Sequence, residues 1–359
     1  MAIKYLAGDR LIGTTAERTA MTTSTSNVGK TGWKILGRYD HQNETPPTIT
    51  AKDNLMLVIF TKRAGSGSTN ILLKFNDDAS GNYSWRTKNQ SGSSTTMADL
   101  EDQSNGIPIH SSVDEECFSV VHIRNKDGRE KSVHSRTSAS GGSGAGNEQT
   151  SGETWGKWDI TSGQITKVTV HTTDSTNWQS GSETVILGMD DDEADSGSEN
   201  ALQKLVEVLG EGANDVDTGT SWTAKKYMFI MLTADQTGAA SDGGEFYFNG
   251  RETQSEWAYT REVNGAGTGQ YTSRNRCYAS EANGGDQPTF ITAWIHNTTR
   301  EHGVIMNCSF AMGDNNNTPQ RAKVDAKWAN TSLITSFGFT RAGGERWDSG
   351  AELMVWGFD

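Results

Sequence analysis

Residues 180–190 read SGSETVILGMD, and residues 349–359 read SGAELMVWGFD. The two segments align without a gap at an offset of 359 − 190 = 169, and Trp178 matches Trp347 at the same offset. In each segment an apolar run follows turn-forming Ser and Gly residues and ends at Gly-X-Asp, which is typical of a β-strand that closes a compact module. Such an internal repeat predicts two copies of one domain in the chain.

Further matches follow in register along the chain. The offset drifts only from 169 to 249 − 76 = 173, as expected for two copies that differ by small loop changes; the matched pairs are 157–158 with 327–328, 164–166 with 333–335, 122–125 with 294–297, 74–76 with 247–249, and 51–52 with 224–225. The repeat therefore predicts four segments, namely an N-terminal arm at 1–32, a first copy at 33–190, an acidic linker at 191–201 and a second copy at 202–359.

The apolar residues of each copy occur in short runs separated by Gly, Ser, Asn and Asp. About eight strands are predicted in each copy, and the clearest in the first copy are at 55–61, 71–76, 82–87, 117–124, 130–136, 153–158, 164–171 and 183–189. This pattern predicts an all-β chain of two tandem homologous jelly-roll-like β-sandwich domains, and the 11 Trp, 11 Phe and 8 Tyr can supply the cores.

One segment is ambiguous, because Leu202, Leu205, Val206 and Leu209 have the spacing of a helix. The matching place in the first copy, 33–39, reads WKILGRY and has the character of a strand. Since matching segments of a repeat share one conformation, we expect a strand in both.

Charge and hydropathy restrict the partners and the location. The net charge is −13, so binding to a phosphate backbone is not expected. No stretch approaches the length of a membrane helix, which argues against membrane insertion. Lys4, Asp9 and Arg10 fall where a signal peptide would have its apolar run, so no secretion signal is expected.

No catalytic, cofactor or metal motif is found in the sequence. Position 24 is Ser where a phosphate-binding loop ending at 29–31 would need Gly, and no histidine has a ligand spacing. The acidic run 190–195 could hold calcium but lacks EF-hand spacing, so a plain linker is favoured. Cys117, Cys277 and Cys308 do not match between the copies and are expected to be free thiols. We therefore expect no enzyme activity, no cofactor and no metal.

Six tryptophans allow two interpretations, either a glycan-stacking groove or core packing; they are Trp85, Trp158, Trp178, Trp257, Trp328 and Trp347. Trp158 matches Trp328 and Trp178 matches Trp347, and such recurrence favours a shared core over a shared ligand.

The arm has no counterpart before the second copy, which makes it a candidate for docking to a neighbouring subunit. It could equally add a strand to the chain's own sheet. The apolar residues that would serve in either case are Ile3, Tyr5, Leu6, Leu11 and Ile12.

Four segments, at 3–14, 73–83, 156–158 and 181–190, resemble uncharacterised virion structural proteins of marine phages and archaeal viruses. The resemblance implies a capsid, decoration, tail or fibre component without a catalytic site. It covers the first copy well and the second more loosely, since 249–253 reads NGRET where the first copy has an Asn-Asp-Asp turn.

Three functional hypotheses follow. The first is a non-enzymatic virion protein that is assembled in the host cytoplasm and associates with itself and with other virion proteins. The second is a carbohydrate-binding adhesin or receptor-binding fibre, with cell-surface glycans as partners. The third is a subunit of an extracellular filament or surface layer.

Overall fold

The computed structural model describes residues 33–190 and 202–359, with gaps at 64–68, 92–93, 112–115, 141–143, 148, 175–176, 210–214, 220, 237–243, 252, 264–265, 279–286, 312–318 and 342–350. The predicted arm and linker lie outside these ranges. All secondary-structure elements in these ranges are β-strands, and the strands form antiparallel sheets arranged as sandwiches. The all-β sandwich prediction is confirmed.

The N-terminal half, residues 33–190, contains eleven described strands. They are β1 (Lys34–Asp40), β2 (Asn54–Thr61), β3 (Asn70–Phe75), β4 (Tyr83–Ser91), β5 (Ser94–Gln103), β6 (Ile107–Ser111), β7 (Cys117–Arg124), β8 (Lys131–Ser140), β9 (Gln149–Trp158), β10 (Val168–Thr172) and β11 (Glu183–Met189). A large sheet has the order β1-β11-β2-β7-β8-β9-β4-β5, and a small sheet has the order β10-β3-β6.

The C-terminal half, residues 202–359, contains twelve described strands. They are β12 (Gln203–Leu209), β13 (Asp215–Asp217), β14 (Tyr227–Gln236), β15 (Gly244–Phe248), β16 (Trp257–Val263), β17 (Ala266–Arg274), β18 (Cys277–Tyr278), β19 (Gln287–His296), β20 (His302–Ala311), β21 (Pro319–Trp328), β22 (Phe337–Arg341) and β23 (Glu352–Phe358). Its large sheet, β12-β23-β14-β19-β20-β21-β16-β17, repeats the strand order of the first, and its small sheet is β13-β22-β15-β18.

The ambiguous segment at 203–209 is a strand, as predicted. Leu205 is the extra residue of a β-bulge, and Leu36 is the extra residue of a bulge at the same place in the N-terminal half. A bulge shifts the alternation of inward and outward side chains by one residue. This shift explains why the apolar residues of β12 are not spaced by two.

The estimate of about eight strands in each copy is too low for the described ranges, mainly because β5 and β6 were not predicted. Nine of the ten residues of β5 are exposed, so it has no buried face to produce an apolar alternation. The predicted strand 164–171 is shorter than expected, since β10 starts at Val168.

Two buried or turn-forming asparagines shape this region. Asn76 has φ 50°, which ends β3, and its Oδ1 accepts hydrogen bonds from the backbone of Thr166 at 2.9 Å and Lys167 at 3.0 Å. Asn125 accepts from the Ile165 amide at 2.6 Å. Because side chains satisfy these amides, 164–167 does not join a sheet.

The same arrangement occurs in the C-terminal half. Asn249 has φ 52° and accepts from the backbone of Thr335 and Ser336 at 2.9 and 3.1 Å. Asn297 accepts from the Ile334 amide at 2.8 Å. The two halves therefore share side-chain contacts as well as strand order.

The strand β2 is buried on both of its faces. Leu55, Leu57 and Ile59 point into the core between the two sheets of the N-terminal half, whereas Met56 and Val58 point the other way. This two-sided burial accounts for the uninterrupted apolar run 55–60, because a strand with one wet face would alternate apolar and polar residues.

The second face of β2 packs against the C-terminal half in what we call the shared apolar cluster. Its buried members come from both large sheets and are Met56, Val58, Phe118, Val120, Val185, Leu187, Leu202, Tyr227, Trp294, Ile305, Trp356 and Phe358. At Gly303 a Cβ atom would lie 3.0 Å from the Cβ of Phe118, so the two sheets approach closely there. The outer faces of the large sheets are thus buried against each other.

Candidate functional site

Beside the shared apolar cluster, the contact between the halves becomes charged. The charged layer consists of Lys88, Arg136 and Glu153 from the N-terminal half and Glu262, Lys323 and Asp325 from the C-terminal half, and these residues line a small pocket between the sheets. The six residues lie on the neighbouring strands β8, β9 and β4 of the N-terminal large sheet and on β16 and β21 of the C-terminal large sheet.

Three ion pairs cross this layer. Arg136 Nη2 lies 2.8 Å from Asp325 Oδ1, and both side chains are 7% exposed. Lys88 Nζ lies 2.7 Å from Glu262 Oε2, and Lys323 Nζ contacts Glu153 Oε2. Because every charge has an opposite partner, the layer avoids the large cost of burying isolated ions.

Burial and ion pairing act in opposite directions on the pKa values of two carboxylates in this layer, Asp325 and Glu153. Burial raises the pKa of Asp325 above its usual range, although Arg136 lowers it. Burial would also raise the pKa of Glu153, but hydrogen bonds from His134 and Lys323 and the charge of Arg136 hold that pKa at about 2. Glu153 is therefore ionised at neutral pH.

Identical residues at matched positions do not reveal the charged layer. Glu153 and Lys323 match at an offset of 323 − 153 = 170 but carry opposite charges. A comparison of charge at matched positions would have found this pair.

The strand β5 forms an exposed edge of the N-terminal large sheet. It pairs with β4 on one side, and on the other side no strand of the described part of the chain is its neighbour. Met97 is 64% exposed and Leu100 is 49% exposed. An exposed strand edge carrying apolar side chains is suited to accept a further strand.

The six tryptophans do not form one surface. Trp158, Trp257 and Trp328 are buried, and Trp257 and Trp328 pack around Phe248 with ring centroids 5.0 and 5.3 Å from it. The indole N–H of Trp158 donates to Asp78 at 2.7 Å, and that of Trp328 donates to Glu256 at 3.0 Å. These three rings belong to the cores.

Trp85 and Trp178 are partly buried against the N-terminal core, and Trp178 lies 5.2 Å from the His41 ring. Trp347 lies outside the described residues, as do Ile3, Tyr5, Leu6, Leu11 and Ile12 of the arm. A glycan-stacking role is thus left to Trp85, Trp178 and Trp347 among the six.

Of the acidic run 190–195, which was considered as a calcium site, the structure describes only Asp190. Asp190 contacts Lys52 at 2.8 Å and accepts from the backbone of Asp53 at 3.0 Å, and Asp359 has the same two contacts with Lys225 and Lys226 in the C-terminal half. In the described ranges no group of three His, Cys, Asp or Glu residues is arranged to hold a metal ion.

Cys117 and Cys277 are buried free thiols, as expected for both, while the side chain of Cys308 lies outside the described set. Among the described residues there is also no helix with the length and apolarity needed to cross a bilayer.

His110 on β6 is a buried ionisable group between the two sheets of the N-terminal half. It is 3% exposed, and neither ring nitrogen has a hydrogen-bond partner in the described part of the chain. Burial lowers the pKa of His110 to about 4. The imidazole is therefore neutral in the folded chain at neutral pH.

We expect this histidine to make the folded chain sensitive to acid. The unfolded chain takes up the proton near pH 6.5 and the folded chain only near pH 4, so the free energy of unfolding falls as the pH drops through this window. At pH 4 the loss from His110 alone is about 3 kcal/mol. Urea unfolding measures the free energy of unfolding at pH 8 and at pH 4. The loss of this free energy between the two pH values should be smaller in His110→Leu than in the parent chain. An equal loss in both would contradict the burial of a neutral His110.

No known protein-family model matches the chain, and no curated protein matches it. Among solved structures, it is similar to domains LG4-5 of the mouse laminin alpha1 chain at 11% identity, with 92% of this chain and 90% of that chain covered and a TM-score of 0.18. A score this low carries no argument about function, and the fold assignment stands on the sheets described above.

Proposed function

We propose that this chain is a non-enzymatic structural protein of a virus particle that associates with further copies of itself. The proposal extends to the contact: the arm at 1–32 of one copy adds as a strand to the exposed edge of β5 of a neighbouring copy. The observation that supports this contact is the exposure of β5, a ten-residue strand at a sheet edge with nine exposed residues.

Charge complementarity favours the arm as the strand that β5 accepts. The strand β5 contains Asp99, Glu101 and Asp102 and no cation, so two β5 strands would repel each other. The arm carries a net charge of +2, with four cations against two acids; the cations are Lys4, Arg10, Arg18 and Lys30, and the acids are Asp9 and Glu17. A basic arm on an acidic edge is therefore the favourable pairing.

The apolar residues of the two partners are also compatible. Met97 and Leu100 are three residues apart and point to opposite faces of the sheet. In an extended arm, Ile3 and Tyr5 would lie on one face and Leu6 on the other. Strand addition would then cover exposed apolar groups on both faces.

The geometry of the sheet favours a neighbouring copy over the chain's own edge. The arm joins the sheet at β1, and β5 lies at the opposite edge of the eight strands. The two edges of the sheet are about 34 Å apart, because seven spacings of about 4.8 Å separate β1 from β5. Between β1 and β4 one face of the large sheet packs against the small sheet and the other face packs against the C-terminal half.

Sedimentation velocity over a concentration series tests this contact. The full chain should associate, and both a deletion of 1–32 and the variant Asp99→Lys/Glu101→Lys should sediment as monomers. The control Glu130→Lys/Asp159→Lys makes the same charge change at exposed positions elsewhere on the half and should still associate.

Mixing the two variants that do not self-associate tests whether the arm binds β5 of a neighbouring copy or β5 of its own chain. The deletion variant retains an acceptor edge, and the β5 variant retains an arm, so the mixture should form a one-to-one complex. A mixture that stays monomeric, or a deletion variant that still associates like the full chain, would contradict the proposed contact.

The carbohydrate-binding alternative has a separate test. A glycan array on the full chain, with Trp85→Ala/Trp178→Ala as the control, would favour that alternative if binding is found and is lost in the variant. A filament or surface-layer subunit would self-associate as well, but would be found in no particle.

A further inference from the structure

Two charged residues that meet between the halves occupy equivalent positions in their own sheets. Glu153 lies five residues before Trp158 at the end of β9, and Lys323 lies five residues before Trp328 at the end of β21. The strands β9 and β21 have the same place in the two large sheets. Glu153 and Lys323 are therefore counterparts, and they contact each other.

A second pair repeats this relation on the next strands. Lys88 on β4 is the cross-strand neighbour of Glu153, and Glu262 on β16 is the cross-strand neighbour of Lys323. Lys88 and Glu262 are thus counterparts as well, and their charged atoms lie 2.7 Å apart. Each of the two pairs joins a residue to its own equivalent.

Contacts between equivalent residues are the mark of twofold symmetry, since only residues on the axis of a symmetric pair meet themselves. The contact between the halves is therefore pseudo-twofold, with its axis running across β9 and β4. Two identical N-terminal halves packed in this way would place Glu153 against Glu153 and Lys88 against Lys88. Two identical C-terminal halves would bring like charges together at the same two places.

We infer that this face is selective, so that the N-terminal half accepts the C-terminal half and rejects a second copy of itself. The shared apolar cluster attracts without discrimination, because apolar burial has no sign. The two counterpart pairs make the contact selective. Their side chains are only 9% to 20% exposed, so solvent and salt would screen the repulsion between two like charges poorly at these positions. Contacts between different copies must then use other surfaces, such as the sheet edges.

A variant of the full chain can imitate the rejected pairing. Glu262→Lys/Lys323→Glu gives the C-terminal half the charges that the N-terminal half has at these positions. We expect its folding equilibrium constant to fall about 100-fold, from about tenfold for each like-charge meeting. Urea unfolding followed by tryptophan fluorescence measures the change.

Rescue separates selective pairing from general damage to the fold. Adding Lys88→Glu/Glu153→Lys restores opposite charges in both pairs, so the fourfold variant should return to within about tenfold of the parent. The exposed pair Lys157–Glu130 is the control, and Lys157→Glu should change the constant by no more than about fivefold.

Two outcomes would overturn the inference. One is a Glu262→Lys/Lys323→Glu variant as stable as the parent, and the other is a fourfold variant no better than the double variant. If the double variant does not fold, the neutral changes Lys88→Gln and Glu262→Gln, which remove one pair between the halves, take its place and are measured singly and together. An interaction between them of the same size as that of the exposed control pair would count against selectivity.

Discussion

Replacing Asp325 with Ala is expected to lower the free energy of unfolding by about 3–5 kcal/mol. Asp325 and Arg136 contact each other at 2.8 Å between the halves, and both are 7% exposed. Removing the carboxylate leaves the guanidinium buried without this counter-charge, and the desolvation cost of that charge is then no longer offset. Chemical unfolding at neutral pH measures the loss.

The matched control is an ion pair on the surface. Lys157 and Glu130 lie 3.2 Å apart with side chains 47% and 53% exposed, so Glu130→Ala should cost about 1 kcal/mol or less. A loss from Asp325→Ala as small as that from Glu130→Ala would mean that the two halves do not pack as described. A loss confined to one of two separate unfolding transitions would point to the same conclusion.

Replacing Trp328 with Ala is expected to cost about 3–5 kcal/mol. Trp328 is fully buried, packs against Phe248 and Trp257, and donates its indole N–H to Glu256 at 3.0 Å. The substitution opens a cavity and removes the hydrogen bond to that carboxylate. Thermal and urea unfolding of the variant give the loss directly.

Trp155 provides the comparison on an exposed site. Its ring is 42% exposed, lies 5.8 Å from His134 and has Lys323 Nζ 5.7 Å from its centroid. We expect Trp155→Ala to cost about 1 kcal/mol, since only these partial contacts are lost. Equal and small losses at both positions would show that Trp328 is not a core residue.

The recurrence of tryptophans predicted their role for a physical reason. Trp158 and Trp328 end the equivalent strands β9 and β21, where a large ring closes the space between the two sheets of each half. A ligand groove needs exposed rings, and exposure does not follow from recurrence. Trp85 and Trp257 lack a tryptophan counterpart, and the sequence alone could not separate the fully buried Trp257 from the partly buried Trp85.

The strand pattern was predictable for β7 and β11, which have a buried face, and it failed for β5, which has none. The strands β7 and β11 match their predicted ranges, 117–124 and 183–189. The strand β5 has no apolar alternation because it lies at an edge with both faces wet. Its identification required the sheet order, which is a property of pairing across the fold.

The side chains that end strands were equally hidden. Asn76 and Asn125 replace backbone partners for the amides of 165–167, so a segment that was predicted as the start of a strand is held outside the sheet. Both asparagines lie at matched positions of the predicted repeat, with Asn249 and Asn297 as their counterparts. Repeated asparagines next to predicted strand ends are a usable signal for such contacts.

Electron microscopy of the native source, with gold-labelled antibody against this chain, tests the proposed function most directly. A virion structural protein should give gold on particles, in an ordered arrangement that repeats from one particle to the next. Gold on dispersed molecules alone, with particles unlabelled, would contradict the virion proposal.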